Sequence, residues 1–360
     1  MLSVEDVRGY RLVAPDGSLS FQDLPGIEPR PDDVVVEVAG CGLCHTDLSF
    51  AFHGVPTRHP LPLVLGHEIS GRVIAAGENA PEWIGRSVIV PAVIPCGECE
   101  ACRAGRPTIC RNQFMPGNDG DGGFATHVSV PARGLCPVPD VLPEGLSLEM
   151  LAVVADAVTT PFEALERAAV GPDDLAVFVG AGGIGGFGIQ IAAARGASVV
   201  AIDINQERLD LVSSHGATLT LNASEMDGKE MKAAVRKMSK ESGRGRVGTK
   251  IFEMSGTTAG QNTAFNLLDF GSSLAVVGYT ADKVNIRLSN LMALDATARG
   301  NWGCAPENYP SALRLVLEGK VVLEPFIERH SLAELPEIFR AAHEHAIKRR
   351  PILMPNGHAD

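Results

Sequence analysis

The run FVGAGGIGGFGIQIAAARGASVVAIDIN, residues 178–205, begins apolar, breaks on glycines and ends beside an acidic residue. LAVFV (175–179) reads as a buried strand and SVVAI (198–202) as a second, with a small-residue helix between them. Gly180, Gly182 and Gly185 stand at the spacing of a dinucleotide fingerprint, and Gly183 and Ile184 complete the turn. Glycines in that pattern carry little information alone. Strand, glycine turn, helix, strand and acid in order are specific. Glycine lets the backbone approach a pyrophosphate at a helix N-terminus, where unpaired N–H groups and the dipole favour negative charge. Asp203 is placed to hold the adenosine ribose hydroxyls and to repel a 2′-phosphate, which predicts NAD rather than NADP. Arg208 is a further cofactor candidate.

The alternation continues outward through QERLDLVSSHG, TLTLN, EMKAAVRKMSKES, TKIFEMSG, GQNTAFNLLDFG and SLAVVGYT. It predicts an α/β chain with a doubly wound parallel sheet over residues 156–301. Residues 1–155 and 302–360 form the other domain, rich in strands and in Gly and Pro breaks; helical spacing returns in SALRLVLEGK and ELPEIFRAAHEHAIKRR. With 360 residues, 45% of them hydrophobic, the chain can bury two cores. No repeat or flexible linker separates the domains, so they are expected to share a tight cleft. A net charge of -12 argues against a nucleic-acid partner. No apolar run reaches the ~18 residues of a membrane span, and MLSVEDVRGY lacks the basic and apolar regions of a signal peptide. The expectation is a cytoplasmic protein that acts on small molecules, without nucleic acid or membrane.

Clustered cysteines in such a compartment are metal ligands or redox groups more than disulfides. IPCGECEACRAGRPTIC (94–110) holds Cys96, Cys99, Cys102 and Cys110. Gaps of two, two and seven residues let four thiolates wrap one tetrahedral zinc, with Gly97 and Gly105 supplying turns. A ferredoxin-type cluster wants a shorter last gap followed by Pro, and here Arg111 follows. Four thiolates leave no position for substrate, so the chemistry lies elsewhere. VVVEVAGCGLCHTDL (34–48) runs from a strand into a turn carrying Cys41, Cys44, His45, Thr46 and Asp47, and LVLGHEISG (63–71) is a strand interrupted by Gly66, His67 and Glu68. By themselves, His67 could be an ordinary packed residue and Cys41 with Cys44 a redox pair or core filler.

Taken together, GCGLCHTDL, LGHEISG, CGECEACRAGRPTIC, GGFATHV and GAGGIGG, in this order, resemble the zinc-dependent medium-chain alcohol dehydrogenases over nearly the whole chain. The resemblance implies a GroES-like β-rich catalytic domain plus a Rossmann doubly wound cofactor domain, NAD, and two zinc ions per chain. Cys96, Cys99, Cys102 and Cys110 would hold the structural ion. Cys44 and His67 would be ligands of a catalytic ion in the cleft, with Asp47 and Glu68 behind them. Thr46 would hydrogen-bond the substrate oxygen and take its proton, and His45 and Arg350 would meet the cofactor. Where many members carry a relay His, this chain has Ser49, with His53 nearby.

The usual third ligand is Cys, but the matching position in VVADAVTTPFEAL is Asp156. Cys41, Glu68, Cys136 and Asp156 are the candidates. Cys41 would crowd two ligands onto one turn. A carboxylate is an accepted zinc ligand, and with one thiolate it neutralises the ion, so Cys44, His67 and Asp156 are expected to bind, with Glu68 able to approach an open position. The implied reaction is oxidation of a secondary alcohol to a ketone. The resemblance within the family points to a cyclic alcohol, either a CoA thioester met by Arg58, His59, Lys348 and Arg349, or a simpler alcohol without CoA. The short segment between Cys110 and Gly122 favours a homo-tetramer over a dimer.

Overall fold

All five residues of strand Leu175–Val179 are buried, as a strand covered on both faces must be. In the computed structural model, which describes residues 3–356, this strand sits inside a six-stranded sheet. Its neighbours are Ser198–Asp203 and Lys250–Glu253; Leu219–Asn222 lies beyond the first, Ser273–Val276 and Thr297–Gly300 beyond the second. Every pairing is parallel. Numbered along the chain, the order is 3-2-1-4-5-6, the doubly wound Rossmann arrangement. Helices Gly185–Ala194, Gln206–Ser213, Gly228–Ser242 and Thr258–Asn266 supply crossovers. Gly228–Ser242 is set by a capping box: the Asp227 carboxylate accepts from Lys229 and Glu230 N–H, and Glu230 returns a bond to the Asp227 N–H.

The other unit is organised around strand Asp33–Gly42, part of a seven-stranded sheet. It pairs antiparallel with Glu68–Ala76, with His127–Pro131 and, at its far end, with Arg350–Met354 through Cys41 and Leu353. That last pairing is how the C-terminal segment completes the N-terminal one, as GroES-like architecture implies. A three-stranded sheet places Val7–Leu12 between Leu19–Leu24 and Leu63–Val64. Helical spacing in ELPEIFRAAHEHAIKRR overreaches: the helix is Leu335–His343, His345 takes a left-handed φ of 57°, and Arg350 opens a strand. No helix among the described residues is long and apolar enough to cross a membrane.

The chain divides into two units, the described parts of Met1–Thr159, Gly303–Leu317 and Phe326–Asp360, and of Thr160–Trp302 and Glu318–Pro325. The sequence reading divides the chain at 155/156 and 301/302. In the structure the boundary residues shift, 156–159 staying with the first unit and Trp302 with the nucleotide unit, and Glu318–Pro325 also belongs to the nucleotide unit. The second difference has a specific cause: buried Gln190 accepts from the Val322 N–H at 2.7 Å and donates to its carbonyl at 3.2 Å, while Val321 and Leu323 are buried. Gln190→Ala should therefore leave two backbone groups unpaired and lower the unfolding free energy by about 1–3 kcal/mol, with zinc content unchanged. An unmoved denaturation midpoint would contradict this attachment.

Candidate metal centre and nucleotide turn

Cys44 is not in an irregular turn. Strand Asp33–Gly42 includes Cys41, and Cys44 is the N-cap of helix His45–Phe52. The strand therefore packs the Cys41 thiol against Gly66 and Gly123, where burial pushes it well above its ordinary pKa. Three residues on, Cys44 caps the start of a helix. Asp47, the third residue of that helix, is fully buried. One of its oxygens accepts from the Cys44 N–H at 3.0 Å; the other accepts from the Gly66 N–H at 3.1 Å and lies 3.3 Å from His67 Nδ1. A single carboxylate thus holds both ligand-bearing segments and orients the imidazole, leaving Nε2 on the ligand side.

Segment Glu149–Ala155, buried from Met150 onward, packs on Gly40, where any Cβ would strike Glu149 backbone. It delivers Asp156, whose Oδ2 is 3.8 Å from Cys44 Sγ and 3.9 Å from His67 Nε2. Glu68 joins them, so that one donor atom from each of Cys44, His67, Glu68 and Asp156 lies within 4.8 Å of the others. Cys41 and Cys136 are outside this group; Cys136 is buried with its thiol toward the Pro137 carbonyl. Glu68 is gripped by both prongs of Arg350, Nε to Oε2 at 2.7 Å and Nη2 to Oε1. Burial raises the Glu68 carboxyl to about 7 although Arg350 pulls the other way. Gly42 makes room for this pair, since a Cβ there would lie 2.1 Å from Glu68 Oε2. Arg350, assigned to the cofactor from the resemblance, is thus placed as the buried partner of Glu68.

The donor set fits zinc. Bonds of about 2.0–2.3 Å in a tetrahedron imply ligand separations of about 3.3–3.8 Å, and the two pairs that Asp156 makes with Cys44 and His67 need to close by at most about 0.6 Å. The charge balance also calls for a cation. Burial alone would lower His67, yet Asp47, Asp156 and Cys44 raise it well above its ordinary pKa. Thr46 Oγ1 is 3.8 Å from Cys44 Sγ. Ser49 donates to the His45 carbonyl at 2.9 Å and offers no titrating nitrogen. The His53 ring lies beside His343, and the His45 ring stacks on His345.

Cys96, Cys99, Cys102 and Cys110 form a second set. Their sulfur separations of 3.5, 3.5, 3.7 and 4.0 Å bracket the ~3.8 Å edge of a zinc tetrathiolate and are too long for disulfides. Gly97 and Gly105 adopt φ of 82° and 69° in the turns between them. N–H groups of Glu98 and Cys99 pull the Cys96 thiol down to about 6, whereas desolvation and the neighbouring thiols push Cys102 up to about 12. A central cation allows all four to be thiolates together.

In the nucleotide unit the three glycines have different duties. Gly180 has φ 100°, and a Cβ on it would lie 2.7 Å from Ser255 N; one on Gly185 would lie 1.9 Å from Gly180 O. At Gly182 a Cβ would meet only Arg208, at 3.6 Å. The outer glycines close the turn and the middle one, with half-buried Gly183 and Ile184, leaves backbone approachable. Asp203 accepts from the Ala181 N–H at 2.7 Å and the Asn205 N–H at 2.9 Å, so its first task is to brace the turn. Sequence reasoning passed over Glu253 in FEMSG: it is fully buried, and its Oε1 accepts from Ser255 N, Ser255 Oγ and Gly256 N in the adjoining loop.

The family model described as alcohol dehydrogenase GroES-like domain matches residues 30–140, and that described as zinc-binding dehydrogenase matches residues 183–318. The chain is 29% identical over 344 residues to an alcohol dehydrogenase of Geobacillus stearothermophilus, covering 93% of this chain and 95% of the relative. It is 30% identical over 337 residues to galactitol 1-phosphate 5-dehydrogenase of Escherichia coli K12, with coverage of 90% and 93%. The crystal structure of galactitol-1-phosphate dehydrogenase from Escherichia coli superposes with a TM-score of 0.86 at 28% identity, over 97% of this chain and all of the other. The chain belongs to the zinc-dependent medium-chain alcohol dehydrogenase family, enzymes that act on CH–OH groups with zinc and a nicotinamide dinucleotide.

Asp47→Ala should weaken zinc binding at Cys44 and His67 by about 10- to 100-fold and leave the four-cysteine ion in place. Chelator titration with metal counting checks this; equal loss from both sets, or from neither, would contradict the role of Asp47.

Proposed function

We propose that this enzyme oxidises a cyclic secondary alcohol to a ketone with NAD, and that its substrate is 6-hydroxycyclohex-1-ene-1-carbonyl-CoA, converted to 6-oxocyclohex-1-ene-1-carbonyl-CoA in anaerobic aromatic degradation. The observation that carries the catalytic part is the convergence of Cys44, His67 and Asp156 on one point with Thr46 beside them. Zinc held there supplies a Lewis acid that acidifies an alcohol, and NAD supplies the hydride acceptor. Cys44 and Asp156 carry the two negative charges that balance a divalent ion. Thr46 takes the alcohol proton. Asp203 keeps lone pairs for ribose hydroxyls after its two backbone bonds, which supports NAD over NADP.

The substrate rests on the resemblance of SFAFHGVPTRHPLPLVLGHEISG (49–71), together with Asp156, to 6-hydroxycyclohex-1-ene-1-carbonyl-CoA dehydrogenase. Cations suited to CoA phosphates are Arg58, half exposed and braced at 3.2 Å by Asp119, with His59 and the exposed Lys348 and Arg349. The reading includes a cytoplasmic homo-oligomer, tetrameric rather than dimeric. A second reading, a broader secondary or cyclic alcohol dehydrogenase acting without CoA, is favoured by one observation: a relative that matches nine-tenths of the chain is named for galactitol 1-phosphate.

Asp156→Ala should lose the ion bound with Cys44 and His67, and with it activity, while the four-cysteine ion stays; Cys41→Ala should keep both. Full zinc content and activity in Asp156→Ala, or an emptied site in Cys41→Ala, would overturn the ligand assignment. The cyclic CoA ester should exceed free cyclohexanol in kcat/KM by at least ~10²-fold, since remote binding energy can be used in the transition state. Equal values would favour the second reading. Wild-type enzyme using NADP as efficiently as NAD would remove Asp203 from cofactor selection.

A further inference from the structure

Tyr309 opens helix Tyr309–Leu317 of the first unit and is 1% exposed. Its hydroxyl donates to the Ala155 carbonyl at 2.5 Å and accepts from the Ala92 N–H at 3.1 Å. The same carbonyl also receives Thr159 Oγ1 at 3.2 Å and the Ala92 N–H at 3.4 Å. Three donors therefore converge on one peptide oxygen. The next residue is Asp156, where the chain leaves the 3₁₀ segment Glu149–Ala155 with φ −141° and ψ −56°. Because the peptide unit is planar, fixing the Ala155 carbonyl fixes the amide from which the Asp156 side chain departs. Ala92 follows strand Ser87–Val90, whose Val90 pairs with Ile69, two residues after His67. The Tyr309 hydroxyl thus pegs the segment that carries Asp156 to the sheet that carries His67 and Glu68.

A phenylalanine would fill the same volume, so packing explains the ring and leaves the hydroxyl unexplained. Burial drives the Tyr309 phenol well above its ordinary pKa, and it remains an O–H donor across the neutral range.

We propose that Tyr309 is a positioning residue for the third metal ligand: by holding the Ala155 carbonyl, its hydroxyl keeps the Asp156 carboxylate on the point where Cys44 and His67 converge. This rests on the reading of Asp156 as a ligand. The test compares zinc-loaded wild type, Tyr309→Phe, Thr159→Val and Asp156→Ala by chelator competition with metal counting, and by the visible spectrum after cobalt substitution. Tyr309→Phe should release one of its two zinc ions about 10- to 100-fold more readily than wild type, keep the four-cysteine ion at wild-type affinity, and shift the cobalt bands of the weakened site. Thr159→Val should shift the same site in the same direction by less, and it decides the matter if Tyr309→Phe does not fold. A purely structural role would lower the melting temperature and leave both affinities and the cobalt spectrum unchanged; that result in both variants would overturn the proposal. If Asp156→Ala itself kept both ions, the ligand reading would fall first. If Asp156→Ala lost one ion while Tyr309→Phe and Thr159→Val held both at wild-type affinity, Tyr309 alone would be misassigned.

Discussion

The first unit depends on one buried carboxylate. Asp47 has no surface exposure and, among the described residues, no arginine or lysine as a partner; it is satisfied by the Cys44 and Gly66 N–H groups and faced by His67. Burying such a charge costs several kcal/mol unless it is compensated. That cost is offset only while the helix start at Cys44 and the bend at Gly66 stay in register with each other. The bend needs Gly66, at φ 96°, and any Cβ there would lie 2.6 Å from Cys41 Sγ. The arrangement that satisfies Asp47 is therefore also the one that aims Cys44 and His67 at one point.

The two metal sets follow from opposite strategies. Cys96, Cys99, Cys102 and Cys110 come from one local excursion whose glycine turns and backbone N–H to sulfur contacts need little help from the rest of the unit. Cys44, His67 and Asp156 come from three separate segments, each tied to the central sheet. The first set is closed and saturated with sulfur, which suits a structural ion. In the second, a thiolate, an imidazole and a carboxylate would balance a divalent charge, and Glu68 is held by Arg350. With Asp156 as a ligand, the harder oxygen donor would leave such an ion somewhat more Lewis acidic than a second thiolate would.

Much of this is legible in the sequence alone. The glycine turn between Leu175–Val179 and Ser198–Asp203 could be read because strand, turn and helix are contiguous and each glycine has a local steric reason. The cysteine spacing was legible for the same cause. Pairings set by distant segments were not. Nothing in GIQIAAA says that Gln190 will seize the backbone of Val322, and nothing in PENYPSALR says that Tyr309 will reach the residue before Asp156. The resemblance implies a cofactor role for Arg350; that Arg350 also pairs with Glu68, 282 residues away in sequence, no local pattern records. Helical periodicity in AAHEHAIKRR continued past the true end because backbone pairing with Cys41 and Gly42, which no periodicity records, pulls Ile352 and Leu353 into a strand.

The most direct test is an anomalous difference map at the zinc edge from crystals of the native enzyme. The account predicts two peaks per chain, one among the four clustered cysteines and one about 2.0–2.3 Å from Cys44 Sγ, His67 Nε2 and an Asp156 oxygen, with Asp47 outside bonding range. A single peak at the cysteines, or a second peak bound by Cys41 with Asp156 turned away, would contradict it.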